Sequence, residues 1–233
     1  MNIEISSKEF KYTEEKFLEK NNLIKIIPQK SLLLDYVPYA TSSNFCQIQL
    51  YSHPFLYIHR DAFLALQSAL DLSQQKNYKI KIWDAFRPFK VQSYMADNFP
   101  EFVKGGFVSH PKNGIATHVR GIALDLTLTD ANNQELDMGT EFDAMLEESH
   151  HDSTKISELA KKNRQILKQI MIDSGFEIYR GEWWHYNLKI FNYDSNNKIN
   201  GAIKEQDKKY PKIIECPDHL LSETVKNYYQ INS

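Results

Sequence analysis

Two short stretches of this chain concentrate the residue types that hold and use a metal. Thr117-His118-Val119-Arg120-Gly121-Ile122-Ala123-Leu124-Asp125 sets a histidine and an aspartate seven residues apart, and Glu182-Trp183-Trp184-His185 adds a carboxylate and a second histidine. Zinc in hydrolases takes three nitrogen or oxygen ligands and leaves a fourth position for water. His118, Asp125 and His185 are therefore the expected ligands of one Zn2+ per chain. Glu182, beside the set but not needed in it, is the expected general base, taking a proton from water and delivering it to a leaving amine. Arg87, in Trp83-Asp84-Ala85-Phe86-Arg87-Pro88, is expected to aim its guanidinium at an oxygen that turns negative. One such donor is commonly worth about 2.7–4 kcal/mol.

The elements that must position these groups follow from the pattern around them. Lys79-Ile80-Lys81-Ile82-Trp83 alternates as a half-buried strand, and Pro88 suits the first turn of a helix running to about Asn98, so Arg87 stands at a strand-to-helix corner. Ile122–Leu128 is rich in strand formers, with Gly121 as a turn before it. Phe176–Ile190 reads as an aromatic strand-like run. On a regular strand Glu182 and His185, three apart, would face opposite sides. For both to serve one site the backbone must bulge across Trp183-Trp184.

Elsewhere the chain predicts helices over Lys8–Lys20, over Asp61–Gln75 and over a segment capped by Ser153 or Thr154. The last has Ile156, Leu159, Ala160, Ile166, Leu167, Ile170 and Met171 as its buried stripe and Gly175 past its end. Leu23–Ile27 and Leu32–Val37 read as strands, and a short helix is expected near Leu220–Tyr229. The domain reading is one catalytic unit over residues 1–191 and an extension of unknown role, partly ordered at best, over 192–233.

Bulk properties narrow the function classes. A 233-residue chain that is 42% hydrophobic and 25% charged is long enough for one sizeable core. A net charge of -2 leaves no electrostatic footprint for nucleic acid or an anionic membrane. Cys46 and Cys216 lie in no metal-binding or disulfide-framework spacing. No apolar run reaches membrane length and no secretory signal opens the sequence, so it reads as cytoplasmic, or as periplasmic if a leader preceded it.

Five motifs in order, Trp83-Asp84-Ala85-Phe86-Arg87-Pro88, His118-x-x-Gly121-x-Ala123-x-Asp125, Met138-Gly139-Thr140-x-Phe142-Asp143, Ser149-His150-His151 and Gly175-Phe176 with Glu182-Trp183-Trp184-His185, resemble the D-alanyl-D-alanine dipeptidases of the zinc D,D-peptidase superfamily. The resemblance spans roughly residues 30–190. It implies an α+β fold, hedgehog/D,D-peptidase-like, with the metal on a central antiparallel sheet and helices packed on it. It also implies zinc-dependent hydrolysis of the dipeptide D-alanyl-D-alanine, a cell-wall building block. By position it gives His118, Asp125 and His185 as ligands, Glu182 as base and Arg87 as stabiliser of the intermediate. Asp143 is implied to hold the free ammonium of the dipeptide. Where the family has a serine that contacts this amine, two residues before the first histidine, the chain has Ala116 followed by Thr117. Ser149-His150-His151 has a supporting duty. The rival readings are a zinc D,D- or L,D-carboxypeptidase acting on longer peptidoglycan peptides, and a catalytically silent metal-binding module.

Overall fold

The computed structural model describes residues 7–112, 114–190 and 208–232. A five-stranded sheet runs through the centre in the order β2-β4-β5-β7-β6, formed by Leu32–Leu33, Lys79–Asp84, Ala123–Thr129, Glu182–Leu188 and Phe176–Tyr179. Its pairings are antiparallel except β2 with β4, which is parallel. A small second sheet pairs β1 (Leu23–Lys25) with β3 (Tyr57–His59). The helices are α1 (Ser7–Lys20), α2 (Arg60–Gln75), α3 (Phe89–Asn98), α4 (Pro100–Lys104), α5 (Glu158–Asp173) and α6 (Glu223–Ile231). The α+β class and the central, largely antiparallel sheet are as expected.

Burial explains the layering. All seven residues of β5 are buried, so this strand is covered on both faces. On α2, Ala62, Leu66, Ala69 and Leu70 recur at helical spacing and are at most 3% exposed, and the helix packs on β4. His59 caps α2 by accepting the Asp61 N–H at Nδ1. That structural duty is the one expected of an isolated histidine.

Several boundaries differ from expectation. The cap of α5 is Ser157, not Ser153 or Thr154; its hydroxyl accepts the Ala160 N–H at 3.0 Å. The face of α5 turned inward is Ala160, Asn163, Arg164, Leu167, Ile170 and Met171, and Leu159 is 58% exposed. Asn163 and Arg164 replace apolar residues in the stripe because they satisfy the carbonyls of Asp137, Met138, Glu148 and His150. Phe176–Ile190 is a hairpin rather than one run, turning at Arg180-Gly181. Of Leu32–Val37 only Leu32–Leu33 is strand. Pro88 is the cap of α3 rather than its first residue.

The boundary expected at residue 191 borders a segment, 191–207, outside the described residues. From 208 onward the chain shares the core: Tyr210, Ile213, Leu220, Leu221 and Val225 are at most 7% exposed and belong to the same apolar cluster as the sheet. The helix expected near Leu220–Tyr229 is α6, capped by Ser222. Among the described residues no helix is long and apolar enough to cross a membrane.

Candidate active site

His118 opens a 3-10 turn, His118–Arg120, that leads into β5 through Gly121. Gly121 has φ +68, and a Cβ there would stand 2.6 Å from the Leu23 side chain, so only glycine lets the turn close on β1. Asp125 lies within β5 directly opposite His185 of β7. Two neighbouring strands thus present two of the candidate groups, and the turn entering one of them presents the third.

The irregularity demanded by Glu182 and His185 is present. Ile178 pairs with Tyr186 and the next residue, Tyr179, pairs with Glu182, so Trp183, Trp184 and His185 are accommodated on β7 with no counterpart on β6. The lost ladder bonds are each worth about 1 kcal/mol net. Trp183 and Trp184, 1% exposed each, bury roughly 150–250 Å² apiece, about 4–6 kcal/mol. Packing therefore outweighs the broken ladder. Trp183 also donates its indole N–H to Thr140 Oγ1 at 2.8 Å and carries the Arg164 guanidinium on its face.

The ligand atoms of His118, Asp125 and His185 all lie within 4.8 Å of one another, and all three residues are buried. Each imidazole is locked by its other nitrogen. His118 Nδ1 donates to the Ala85 carbonyl at 2.6 Å, and His185 Nε2 donates to Asn187 Oδ1 at 2.8 Å. Those acceptors fix the tautomers, so His118 Nε2 and His185 Nδ1 face each other with lone pairs at 3.1 Å. Both also stand beside the Asp125 carboxylate, at 3.2 and 3.1 Å. Two lone pairs and a carboxylate turned to one point are a donor set for a divalent cation, with the outer hydrogen bonds that orient metal-binding imidazoles. Burial pushes the His185 imidazole down, against the pull of Asp125.

Glu182 is 7% exposed, and its Oε2 lies 3.8 Å from His185 Nδ1. Burial, then the charges of Asp125 and Asp143, push its carboxyl well above the ordinary range. Arg87 is 7% exposed. Its Nε and Nη2 bind Asp84 Oδ2 at 2.9 and 2.8 Å, Nη1 donates to Gln92 at 3.0 Å, and Nη2 reaches Asp125 Oδ2 at 3.3 Å. The ion pair with Asp84 and the approach to the metal corner are two halves of one arrangement: Asp84 aims the guanidinium.

Asp143 stands in the left-handed region, φ +59, on the loop after Gly139. One of its oxygens accepts from the Tyr39 hydroxyl at 3.1 Å; the other, Oδ2, is buried without a hydrogen-bond partner. Burial first, then Asp125, raises its acid to about 8. Tyr39 OH is also 3.5 Å from Arg87 Nη2, so Asp143, Tyr39, Arg87 and Asp125 form a continuous line. Ala116 is buried with φ +48, and Thr117 directly precedes the His118 turn. Ser149 bonds Thr140 Oγ1 and the Ala144 carbonyl, and the backbones of His150 and His151 bond Arg164 and Arg180.

Sequence reading passed over Tyr39 and Asn187 and named Asp84 only as a structural ion-pair partner of Arg87, a pair the structure contains. Asn187 carried a signal, since two residues along a strand from His185 it shares that face. Asp84 lay in a quoted motif, three residues from Arg87. Tyr39, in the short 3-10 turn Pro38–Ala40 and 104 residues from Asp143, carried none.

A family model described as D-ala-D-ala dipeptidase matches residues 24–199. The D-alanyl-D-alanine dipeptidase of Escherichia coli (strain K12) is 34% identical over 169 residues, covering 72% of this chain and 83% of that protein. That of Enterococcus faecalis (strain ATCC 700802 / V583) is 32% identical over 171 residues, with coverages of 64% and 83%. That of Enterococcus faecium is 35% identical over 144 residues, with coverages of 54% and 69%.

Proposed function

Because the chain belongs to the D-alanyl-D-alanine dipeptidase family, we propose that it hydrolyses D-alanyl-D-alanine to two molecules of D-alanine with a zinc ion held by His118, Asp125 and His185. The observation that carries the reading is the meeting of two locked imidazole lone pairs and a carboxylate. When bound, zinc supplies Lewis acidity and brings the pKa of a water down to about 7.

The protein's own groups divide the remaining work. Glu182 is close to the ligands but stands outside their hydrogen bonds, and its raised proton affinity suits a carboxyl that takes a proton from water and keeps it until the amine leaves. Arg87, oriented by Asp84, offers Nη2 to the oxygen that gains charge as the peptide carbon becomes tetrahedral. Asp143 Oδ2, buried and unpartnered, is an acceptor for the substrate's ammonium, with Tyr39 holding the other oxygen. Ala116 stands where the family resemblance implies a serine and offers no hydroxyl, so in this reading the amine leans more heavily on Asp143.

The setting we propose is the cytoplasm, which agrees with the free thiols of Cys46 and Cys216. The function is tested by measuring D-alanine released from D-alanyl-D-alanine, from a D-Ala-D-Ala-terminated pentapeptide and from L-Ala-D-Ala, with and without chelator. Chelator-sensitive release from the dipeptide alone is the expected result. Preference for the pentapeptide would instead make the protein a carboxypeptidase.

A further inference from the structure

We infer that residues 208–232 form a positioning strap for the metal site, holding the turn that carries His118 and the support behind Arg87; the inference rests on His118 being a ligand. None of these residues is in the donor set, and all lie beyond residue 199, where the family match ends. Their contacts nevertheless fall on the surroundings of the ligands.

The first fastening flanks His118. Arg120, 5% exposed and two residues on, donates from Nε to the Ile115 carbonyl at 2.7 Å and from Nη1 to the Tyr210 carbonyl at 2.5 Å. One guanidinium thus clamps the ligand's own loop to the strap. The Ile213 N–H donates to the Val119 carbonyl at 3.0 Å, and Lys212 Nζ reaches the Pro111 carbonyl at 2.7 Å. Tyr210 is anchored in turn, its hydroxyl on Asp61 Oδ2 at 2.7 Å and its ring edge-on to His59.

The second fastening brackets Tyr51. Ser52 N–H donates to the Leu220 carbonyl at 3.2 Å, and Ser222 N–H to the Leu50 carbonyl at 3.0 Å, with Tyr51 bridged to Leu221 between them. Tyr51 donates to Asp84 Oδ1 at 2.7 Å, and the other oxygen of Asp84 holds Arg87 and lies 3.7 Å from His118 Nδ1. A third contact seats α6 on α3, the helix that follows Arg87, through Tyr229 to the Lys90 carbonyl at 3.0 Å and Tyr228 edge-on to Tyr94. The strap therefore restrains His118 from the front of its turn and Arg87 from behind.

Outer contacts of this kind matter because ligand geometry is exacting: losing one that orients a ligand commonly lowers metal affinity about 10–100-fold. The test measures zinc Kd by competition with a chromophoric chelator, the d–d spectrum of the cobalt-substituted protein, and the melting temperature of the metal-free protein. Arg120→Met is expected to raise zinc Kd by about 10–100-fold and to shift the cobalt bands. Lys212→Met, which cuts a partly exposed bond, is expected to move both in the same direction by less. Leu66→Ala, a cavity in α2 remote from the turn, is expected to lower the melting temperature with zinc Kd unchanged. Lower melting temperature with unchanged zinc Kd and cobalt spectrum in the Arg120 and Lys212 variants overturns the strap. If Arg120→Met does not fold, Lys212→Met decides alone, by the same two readouts. His118→Ala separates the premises: zinc bound as tightly as in wild type would remove the ligand reading and the strap together.

Discussion

At the metal end of the site both histidines and the arginine have a partner behind them, whereas at the amine end one buried carboxylate oxygen has no hydrogen-bond partner. His118 is backed by Ala85, His185 by Asn187, and Arg87 by Asp84 and Gln92. These groups sit on paired strands or on the turn and corner at their ends. Asp143 stands on a loop in a left-handed conformation, with Oδ2 buried and unpaired. The contrast separates two tasks. A metal centre works best when its ligands are fixed before the ion arrives, while a subsite for a substrate cation keeps an acceptor in reserve and leaves the cost of its burial to be offset on binding.

The comparison is broken most severely at the metal end. His118→Ala or Asp125→Ala is expected to abolish zinc binding and turnover together, read by metal analysis of the purified variants; a variant that retained one tightly held zinc would contradict the ligand set. Next in size, Glu182→Gln is expected to keep its zinc and lose about 10²–10⁴-fold in kcat. Full activity there would end its proton-transfer role. Arg87→Met should lower kcat by about 10²–10³-fold, with a smaller change in KM.

How much of this was legible in the chain depended on whether a residue's meaning was local. His118, Asp125, Glu182 and His185 announced themselves through chemistry and spacing, and the bulge across Trp183-Trp184 followed from strand periodicity once both ends were required at one site. Tyr39 did not, because its place beside Asp143 is made by folding together segments 104 residues apart. The start of α5 was misplaced because three hydroxyl residues, Ser153, Thr154 and Ser157, compete as caps. Leu159 was assigned to the core on its apolarity, yet Asn163 and Arg164 hold the inner face, since loop carbonyls there need donors. The packing of Tyr210 and Ile213 was hidden by a lysine-rich stretch that reads as a tail.

At the amine end the effects are smaller and fall on binding. Asp143→Asn is expected to raise KM for the dipeptide about 10–100-fold, the worth of a charge-assisted bond, with less effect on kcat. The wild-type KM should fall as pH rises towards about 8, because the Asp143 acid, raised to about 8, must ionise to pair with the ammonium. In Asp143→Asn that limb of the profile should vanish; a limb that persisted would assign it elsewhere.

The last expected effect falls on stability rather than on turnover, at His151. Burial, then Lys168 and Arg164, depress His151 to about 3 in the folded protein. The unfolded chain therefore binds a proton that the folded one excludes, and the stability contributed above pH ~6.5 is lost as pH falls towards 3, by up to about 1.4 kcal/mol per pH unit. His151→Phe should flatten that acid limb in urea unfolding from pH 7 to 4.

The convergence of His118, Asp125 and His185 on one catalytic zinc is tested most directly by adding zinc stepwise to metal-free protein while D-alanine release from D-alanyl-D-alanine is followed. The account predicts that activity rises linearly to one equivalent per chain and then stays level. Undiminished turnover without metal, or no D-alanine at one bound equivalent, would contradict it.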